Sequence, residues 1–331
     1  MKIINPSIEI MHHGMEIEHI HPEQHIEKVG RTCYKSEDKI TDASAAKFVS
    51  GLIKRGHEAM IEHYSLIFKT TVDWYNEIEC DWNLLMHSGD MGSEAKLRAF
   101  LRFTDCADAN GEMRYIISGN MRAWRDFANA CVKGFGFIPQ YLQGMIKNYP
   151  LFFPEFMDLV PNVINNTILI PIKVRDLLTD AEKGVHWDIT VKFTCDRGVS
   201  HEIVRHRTAS FAQESTRYCN YGLGKFGGEI TVVRPAKWID IPEGELMNTD
   251  AYMYWYTGCN DSEAHYFDML NAGCTPQEAR AVLNNSLKTE VIMTGNLNCW
   301  DHFFHLRCAP DAHPDIQVVA KMVKAEIDQL R

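Results

Sequence analysis

The sequence predicts an α+β fold: a twisted, mainly antiparallel sheet flanked by helices. Three features predict it. A hairpin is written around Asn110-Gly111, between "LRFTD" and "MRYIIS". The segment "HWDITVKFTCD" (186–196) alternates apolar and polar residues, as a half-buried strand does. The last 90 residues read as helices broken by one strand-like piece, "KTEVIMTGN" (288–296).

The elements follow in order. "PSIEIMH" reads as a short strand. "TDASAAKFVSGLIKRGH" reads as a helix capped by Thr41 or Asp42 and stopped at Gly56. Tyr64 to Trp74 has strand composition. A helix precedes the hairpin from residue 93, and "NMRAWRDFANACVKG" forms another after it. Residues 149–174 carry no clear pattern. Asp196 can cap a helix running through "RGVSHEIVRHR". "TASFAQESTRY" is too rich in Ser and Thr for a good helix and reads as a loop. "GEITVVRPAKW" is a strand ended by Pro235. One stretch echoes another: "IISGNMRAWRDF" (116–127) shares five of twelve residues with "IMTGNLNCWDHF" (292–303). A recurring local motif and an old duplication both account for it.

Composition narrows the function classes. A 45% hydrophobic, 24% charged chain of 331 residues is globular and long enough for a sizeable core. The formal charge of −10 argues against a nucleic-acid surface, which needs basic groups. Ten dispersed cysteines with no C-x-x-C pair fit neither a zinc finger nor a disulfide scaffold. "MKIINPSIEI" is no secretory leader, and no apolar run reaches about 18 residues. A reducing cytoplasm is the expected setting.

Against that acidic background, residues 195–221 hold four arginines and no lysine, two of them flanking a histidine in Arg205-His206-Arg207. The guanidinium fork matches phosphate or carboxylate oxygens two at a time. With Ser215 and Arg217, the segment can cradle a nucleotide phosphate. Alternatively Glu202 and Glu214 pair with the arginines on a solvated surface. "GLGKFG" (222–227) matches a dinucleotide fingerprint in letters only, since a loop precedes it and a strand follows. The early histidines, His12, His13, His19, His21 and His25, lack a helical i, i+4 carboxylate pattern and read as polar surface. No metal site is expected. Cys219 sits beside the arginines, which can lower a thiol pKa. Neither it nor Ser215 has the setting of a covalent catalyst.

"RHRTASFAQES" with the adjoining "TRY" resembles the signature of flavin-dependent thymidylate synthases, Arg-His-Arg followed by seven residues and Ser. Three further segments resemble that family in its order: "GRTCYKS" (30–36), an Arg-containing turn; "GHEAMIEH" (56–63); and "EARAVLNNSLKTEVIMTGNLNCWDHFFHLR" (278–307). The likeness covers residues 1–70 and 187–325. It implies conversion of dUMP to dTMP, with FAD as cofactor and with NADPH and methylenetetrahydrofolate as co-substrates. It implies a homotetramer with active sites shared between subunits.

The resemblance carries residue roles. Arg205, His206 and Arg207 contact FAD, with Arg205 also near dUMP. Glu202, Gln213, Glu214, Ser215 and Arg217 line the dUMP pocket, and Arg280 reaches dUMP from a neighbouring subunit. Arg307 faces the uracil and is the expected catalytic residue. His57, Glu62, Asn296 and His302 border flavin and folate. Three positions depart from the family: Glu202 where Gln is frequent, Ala59 for Thr, and Asn298 for Arg. In the first echo Arg122 keeps the arginine, so Asn120 and Arg122 are rivals for the part given to Asn296 and Asn298. The whole chain reads as one domain, with residues 75–185 as an insertion of about 110 residues. Two rival functions stand: a catalytically impaired nucleotide-binding module, and a metal-dependent hydrolase using His19 and His21.

Overall fold

The structure is a computed structural model and describes residues 1–14, 21–87, 101–108, 110–162, 168–177, 179–217, 219–222 and 224–331. The helix expected from residue 93 starts outside these residues, as does His19. The fold is α+β, with its strands in two four-stranded antiparallel sheets rather than one.

The first sheet runs β4-β5-β3-β6, from β3 (Ser65–Thr70), β4 (Leu101–Ala107), β5 (Met113–Asn120) and β6 (Ile170–Pro171). The second runs β2-β7-β10-β8, from β2 (Ser7–His12), β7 (Asp188–Asp196), β8 (Ser210–Gln213) and β10 (Lys288–Asn296). A short parallel pair, β1 (Lys2–Ile4) with β9 (Thr231–Val233), stands apart. The segment expected as an insertion therefore holds β4, β5 and β6, which complete a sheet begun by β3.

Local chemistry sets the element ends. The hairpin between β4 and β5 turns where expected, with Gly111 at φ +82° and the Asp108 carboxylate accepting from the backbone N–H of Asn110 and Glu112. Helix α1 (Pro22–Tyr34) lies close on α2 (Ser44–Lys54). Gly30 permits this, because a Cβ there would meet the Phe48 ring at 2.6 Å. The stretch taken for an Arg-containing turn is in fact the end of α1, where Lys35 adopts a left-handed conformation. Helix α2 begins without a Thr41 or Asp42 side-chain cap and stops at Gly56, φ +68°. The strand expected to reach Trp74 gives way at Val72 to helix α3 (Val72–His87).

Asn120 caps α4 (Met121–Phe135), accepting from the Ala123 N–H at 2.8 Å. Three helices cover the sheets further on: α5 (Gln140–Asn148), α6 (Asp180–His186) and α7 (Arg197–Ile203). Asp196 caps α7 as expected, through the Val199 N–H at 2.8 Å, but α7 ends at Ile203 and does not carry the Arg-His-Arg segment. "SFAQ" is strand β8, not loop. Ser210 and Ala212 are small enough to be buried on the sheet, which the Ser/Thr content disguised. The chain ends in α8 (Asp250–Asn271), α9 (Leu297–Arg307) and α10 (Pro314–Leu330).

Each sheet has its own core, one around Trp124 and Phe127, the other around Trp300 and Phe303. Helix α1 ties them together. Ile26 enters the first core, while Val29 and Cys33 pack on Ala212 and Ile292 of the second sheet. Truncating either tryptophan to Ala removes a fully buried ring, a change costing about 3–5 kcal/mol. Among the described residues no helix is long and apolar enough to cross a membrane.

Candidate active site

The Arg-His-Arg segment sits in the link between α7 and β8. Because α7 ends early, its side chains diverge: Arg205 and Arg207 are exposed, and His206 is buried between them. Among the described residues neither exposed guanidinium has a hydrogen-bond or ion-pair partner. The carboxylates expected to neutralise them are engaged elsewhere. Glu202 pairs with Arg307 at 2.7 Å, and Glu214 pairs with Lys288 at 2.8 Å.

Arg307, in the last turn of α9, is fixed by three bonds. Its Nη1 donates to the Glu202 carboxylate at 2.7 Å, Nη2 to the Glu202 carbonyl at 3.1 Å, and Nε to His206 Nε2 at 3.1 Å. A guanidinium carries five N–H bonds, so two remain for another group. Burial first, and then the neighbouring Arg307 and His302, push the His206 pKa down to about 4. The ring is thus neutral and accepts at Nε2, which puts its proton on Nδ1. That Nδ1 is buried and has no partner among the described residues. His302 is exposed, with its ring centroid 5.9 Å from that of His206.

The loop after β8 forms a second cluster. The Ser215 N–H donates to the Cys33 carbonyl at 3.2 Å, so α1 holds the loop. The Ser215 hydroxyl accepts from the Arg217 N–H at 3.4 Å, and the Arg217 side chain is exposed. Arg280 reaches this loop within the same chain, donating to Thr216 Oγ1 at 3.1 Å. Gln213 turns inward to Ser200 and Thr289. Cys219 is buried 3.7 Å from Glu214 Oε1, beside a carboxylate rather than an arginine.

Beneath the loop lies a charge cluster that the sequence reading missed. Lys288 bridges Glu214 and Glu290, and Lys35 also pairs with Glu290. Burial alone would raise the Glu290 pKa, but Lys288 and Lys35 overcome it and hold the carboxyl at about 2. Burial would lower the Lys288 pKa, yet Glu214 and Glu290 raise it. Lys35 and Glu290 are too far apart in sequence for any local signal. Only the alternation Lys288-Thr289-Glu290, putting both charges on one face of a strand, hints at the pairing.

The remaining candidates lie on the turn before β3 and at the helix starts. His57 is exposed and bonds the Tyr34 hydroxyl at 3.2 Å. Glu62 is buried and pairs with Arg122 at 2.6 Å. Asn296 uses both ends of its amide within the fold, capping α9 through Cys299 N–H and donating to the Val185 carbonyl at 2.9 Å. Of the early histidines, His25 is buried, and His12 is half-buried with its ring 4.9 Å from that of His25. These two pack inside rather than forming polar surface.

Comparison with known proteins adds the following. Residues 183–330 match the family described as thymidylate synthase complementing protein. A flavin-dependent thymidylate synthase of Pyrococcus furiosus is 34% identical over 140 residues, 41% of this chain and 54% of that protein. One from Corynebacterium efficiens is 30% identical over 141 residues, 38% of this chain and 50% of that one. The chain thus spans about half the length of the curated relatives it matches. A crystal structure of a UMP/dUMP methylase from Streptomyces cacaoi, bound with 5-Br dUMP, aligns with 44% of this chain and 68% of its own, at 25% identity and TM-score 0.36.

Proposed function

We propose, from the match of residues 183–330 to the thymidylate synthase complementing protein family, that the chain methylates dUMP to dTMP as a flavin-dependent thymidylate synthase. One observation carries the reading. In a chain of charge −10, Arg205 and Arg207 stand exposed and, among the described residues, unneutralised, beside a buried histidine N–H that lacks a partner among them. Leaving two guanidinia unpaired costs the fold nothing in water and presents a ready anion site.

The residues present fit FAD. Its diphosphate matches the Arg205 and Arg207 forks, and the His206 Nδ1–H is a buried donor awaiting an acceptor. Bound and reduced by NADPH, FAD would supply the hydride that completes the methyl group, whose carbon comes from methylenetetrahydrofolate. The chain's own residues bind and orient. Ser215, Arg217 and Arg280 surround one loop and suit the phosphate of dUMP. Glu214 anchors that loop through Lys288. Arg307 keeps two N–H bonds for the uracil oxygen on which negative charge develops. Its three fixed bonds place it before the reaction begins. Glu202 supports this arrangement, because its carboxylate is neutralised by Arg307 and does not face a phosphate as a free charge.

The test is tritium release from dUMP labelled at C5. The assay runs anaerobically with methylenetetrahydrofolate and NADPH, with FAD added to or withheld from stripped protein. FAD-dependent release is expected. Binding of dUMP without release under any condition would replace this reading with a nucleotide-binding module.

A further inference from the structure

The echo between residues 116–127 and 292–303 is the visible part of a larger correspondence. In the first sheet β3 pairs with β5, Ser65 opposite Asn120. In the second β7 pairs with β10 in the same register, Asp188 opposite Asn296. The outer partners correspond as well: β4 lies on β5 as β8 lies on β10, and β6 lies on β3 as β2 lies on β7. The turn bonds repeat. The Met121 N–H donates to the Tyr64 carbonyl at 3.0 Å, and the Leu297 N–H to the Trp187 carbonyl at 3.1 Å.

The two units also reach into each other reciprocally. His63 of the first bonds Thr294 of the second at 2.7 Å. His186 of the second bonds Ser118 of the first at 2.7 Å. His63 and His186 occupy equivalent positions, two residues before Ser65 and Asp188. Ser118 and Thr294 do likewise, two before Asn120 and Asn296. Such an exchange is what an isologous contact between two copies of one unit produces.

The copies differ where the helix begins. In the second, Asn296 donates to the Val185 carbonyl, and the exposed Asn298 lies against α6, its Oδ1 2.6 Å from where a Cβ on Gly184 would sit. That end is closed by the fold. In the first, Glu62 takes the place of Val185 and Arg122 that of Asn298. The Asn120 side-chain N–H₂ is buried without a hydrogen-bond partner among the described residues, and Arg122, held by Glu62 at 2.6 Å and Asp126 at 3.7 Å, still has N–H bonds to give. Asn120 is 1% exposed. Two donors and the Glu62 acceptor suit the imide edge of a heteroaromatic ring, which alternates C=O, N–H and C=O.

We infer that the chain is an internal duplicate whose copies have divided the work: Asn120, Arg122 and Glu62 of the first copy hold the flavin ring, while Asn296 and Asn298 of the second serve the fold. This rests on the flavin-dependent reading above. Residues 75–162, most of the segment read as an insertion, are then the remainder of a first copy, and β6 and α6 open the second.

The test compares Arg122→Ala with Asn298→Ala in the full chain. FAD and methylenetetrahydrofolate are titrated separately, dUMP binding is measured by calorimetry, and the thermal midpoint is followed by circular dichroism. Arg122→Ala is expected to weaken FAD at least tenfold and leave dUMP affinity within twofold. Asn298→Ala is expected to leave FAD affinity within twofold. If Arg122→Ala unfolds, Arg122→Lys keeps the charge beside Glu62 but lacks the fork, and the same tenfold loss is expected with the midpoint retained. Unchanged FAD affinity in the Arg122 variants, a tenfold loss in Asn298→Ala, or a loss confined to the folate would each overturn the assignment. A wild-type protein that binds no FAD would defeat the functional reading itself, and this assignment with it.

Discussion

Lys288→Met tests whether the buried charge cluster holds the loop that carries Ser215 and Arg217. The substitution keeps the length of the side chain and removes its charge. Glu214, with 3% of its side chain exposed, then loses its 2.8 Å partner and keeps the Cys219 thiol at 3.7 Å and, as its charged partner among the described residues, Lys35 at 3.9 Å. Glu290 retains Lys35 directly. One carboxylate of the two is stranded. Removing one member of a buried ion pair costs about 3–5 kcal/mol, and partial compensation by Lys35 puts the expectation near about 3 kcal/mol. With a urea slope of about 3 kcal/mol/M, the midpoint falls by about 1 M.

The effect also has a pH signature. Glu290 is held near 2 against an ordinary 4.5, so its contribution is complete above pH 4.5 and disappears as pH falls through 2. Lys288 is raised above 10.5, so its contribution is complete below pH 10.5 and disappears as pH rises through its raised value. The gap between wild type and Lys288→Met is therefore full from about pH 4.5 to 10.5 and narrows outside that window. Urea unfolding at pH 4, 5.5, 7 and 9 measures it. A cost under about 0.5 kcal/mol at pH 7, or a gap that does not narrow below pH 4.5, refutes the reasoning.

Three further outcomes follow from the site and its buried histidines. Arg307→Lys retains charge but cannot make three divergent bonds. Turnover should fall at least tenfold with FAD affinity nearly unchanged, and equal loss of both would deny Arg307 its place at the uracil. Ser215→Ala should weaken dUMP by about tenfold, the value of one hydrogen bond to a charged group, while saturated turnover survives. Complete inactivation with dUMP still bound would point to a nucleophile. Burial holds His63, His186 and His206 at about 4, 3 and 4, below their ordinary 6.5. Each resists the proton that the unfolded chain accepts, so thermal stability should decline as pH drops from 6.5 toward 4. His63→Gln should shallow that decline, and a flat wild-type profile would contradict the burial account.

Much of the fold was legible where one residue decides a local geometry. Asp196 and Gly56 mark helix ends because a cap and a left-handed turn are local demands. Strand β8 was hidden because its buried positions, Ser210 and Ala212, are chosen to fit under α1 and beside β10, not for apolar bulk. The arginine cluster was visible as composition, but its pairing was not. Glu202 meets Arg307 across 105 residues, and Lys35 at the end of α1 meets Glu290 on β10. Those contacts depend on how α7 packs on α9 and α1 on β10, and no sequence window contains both partners.

The same distinction explains why a whole-unit correspondence shrinks in sequence to one twelve-residue echo. Strand interiors exchange Ile, Val, Leu and Met freely when volume is conserved, so identity decays there while register persists. The strand-to-helix turn is less forgiving. A Cβ on Gly295 would meet Cys299 Sγ at 2.9 Å, an Asn cap is worth about 1 kcal/mol, and Trp124 and Trp300 are each fully buried in a core. Glycine, Asn and Trp are accordingly among the five identities that survive. What changed between the copies lies just beside them: Arg122 against Asn298, and Asp126 against His302. None of these four side chains fills a core or caps a helix, although Asn298 lies against α6 and Arg122 pairs with Glu62 and Asp126. Divergence there, with the turn itself preserved, is the pattern expected when one copy keeps a ligand and the other keeps only the architecture.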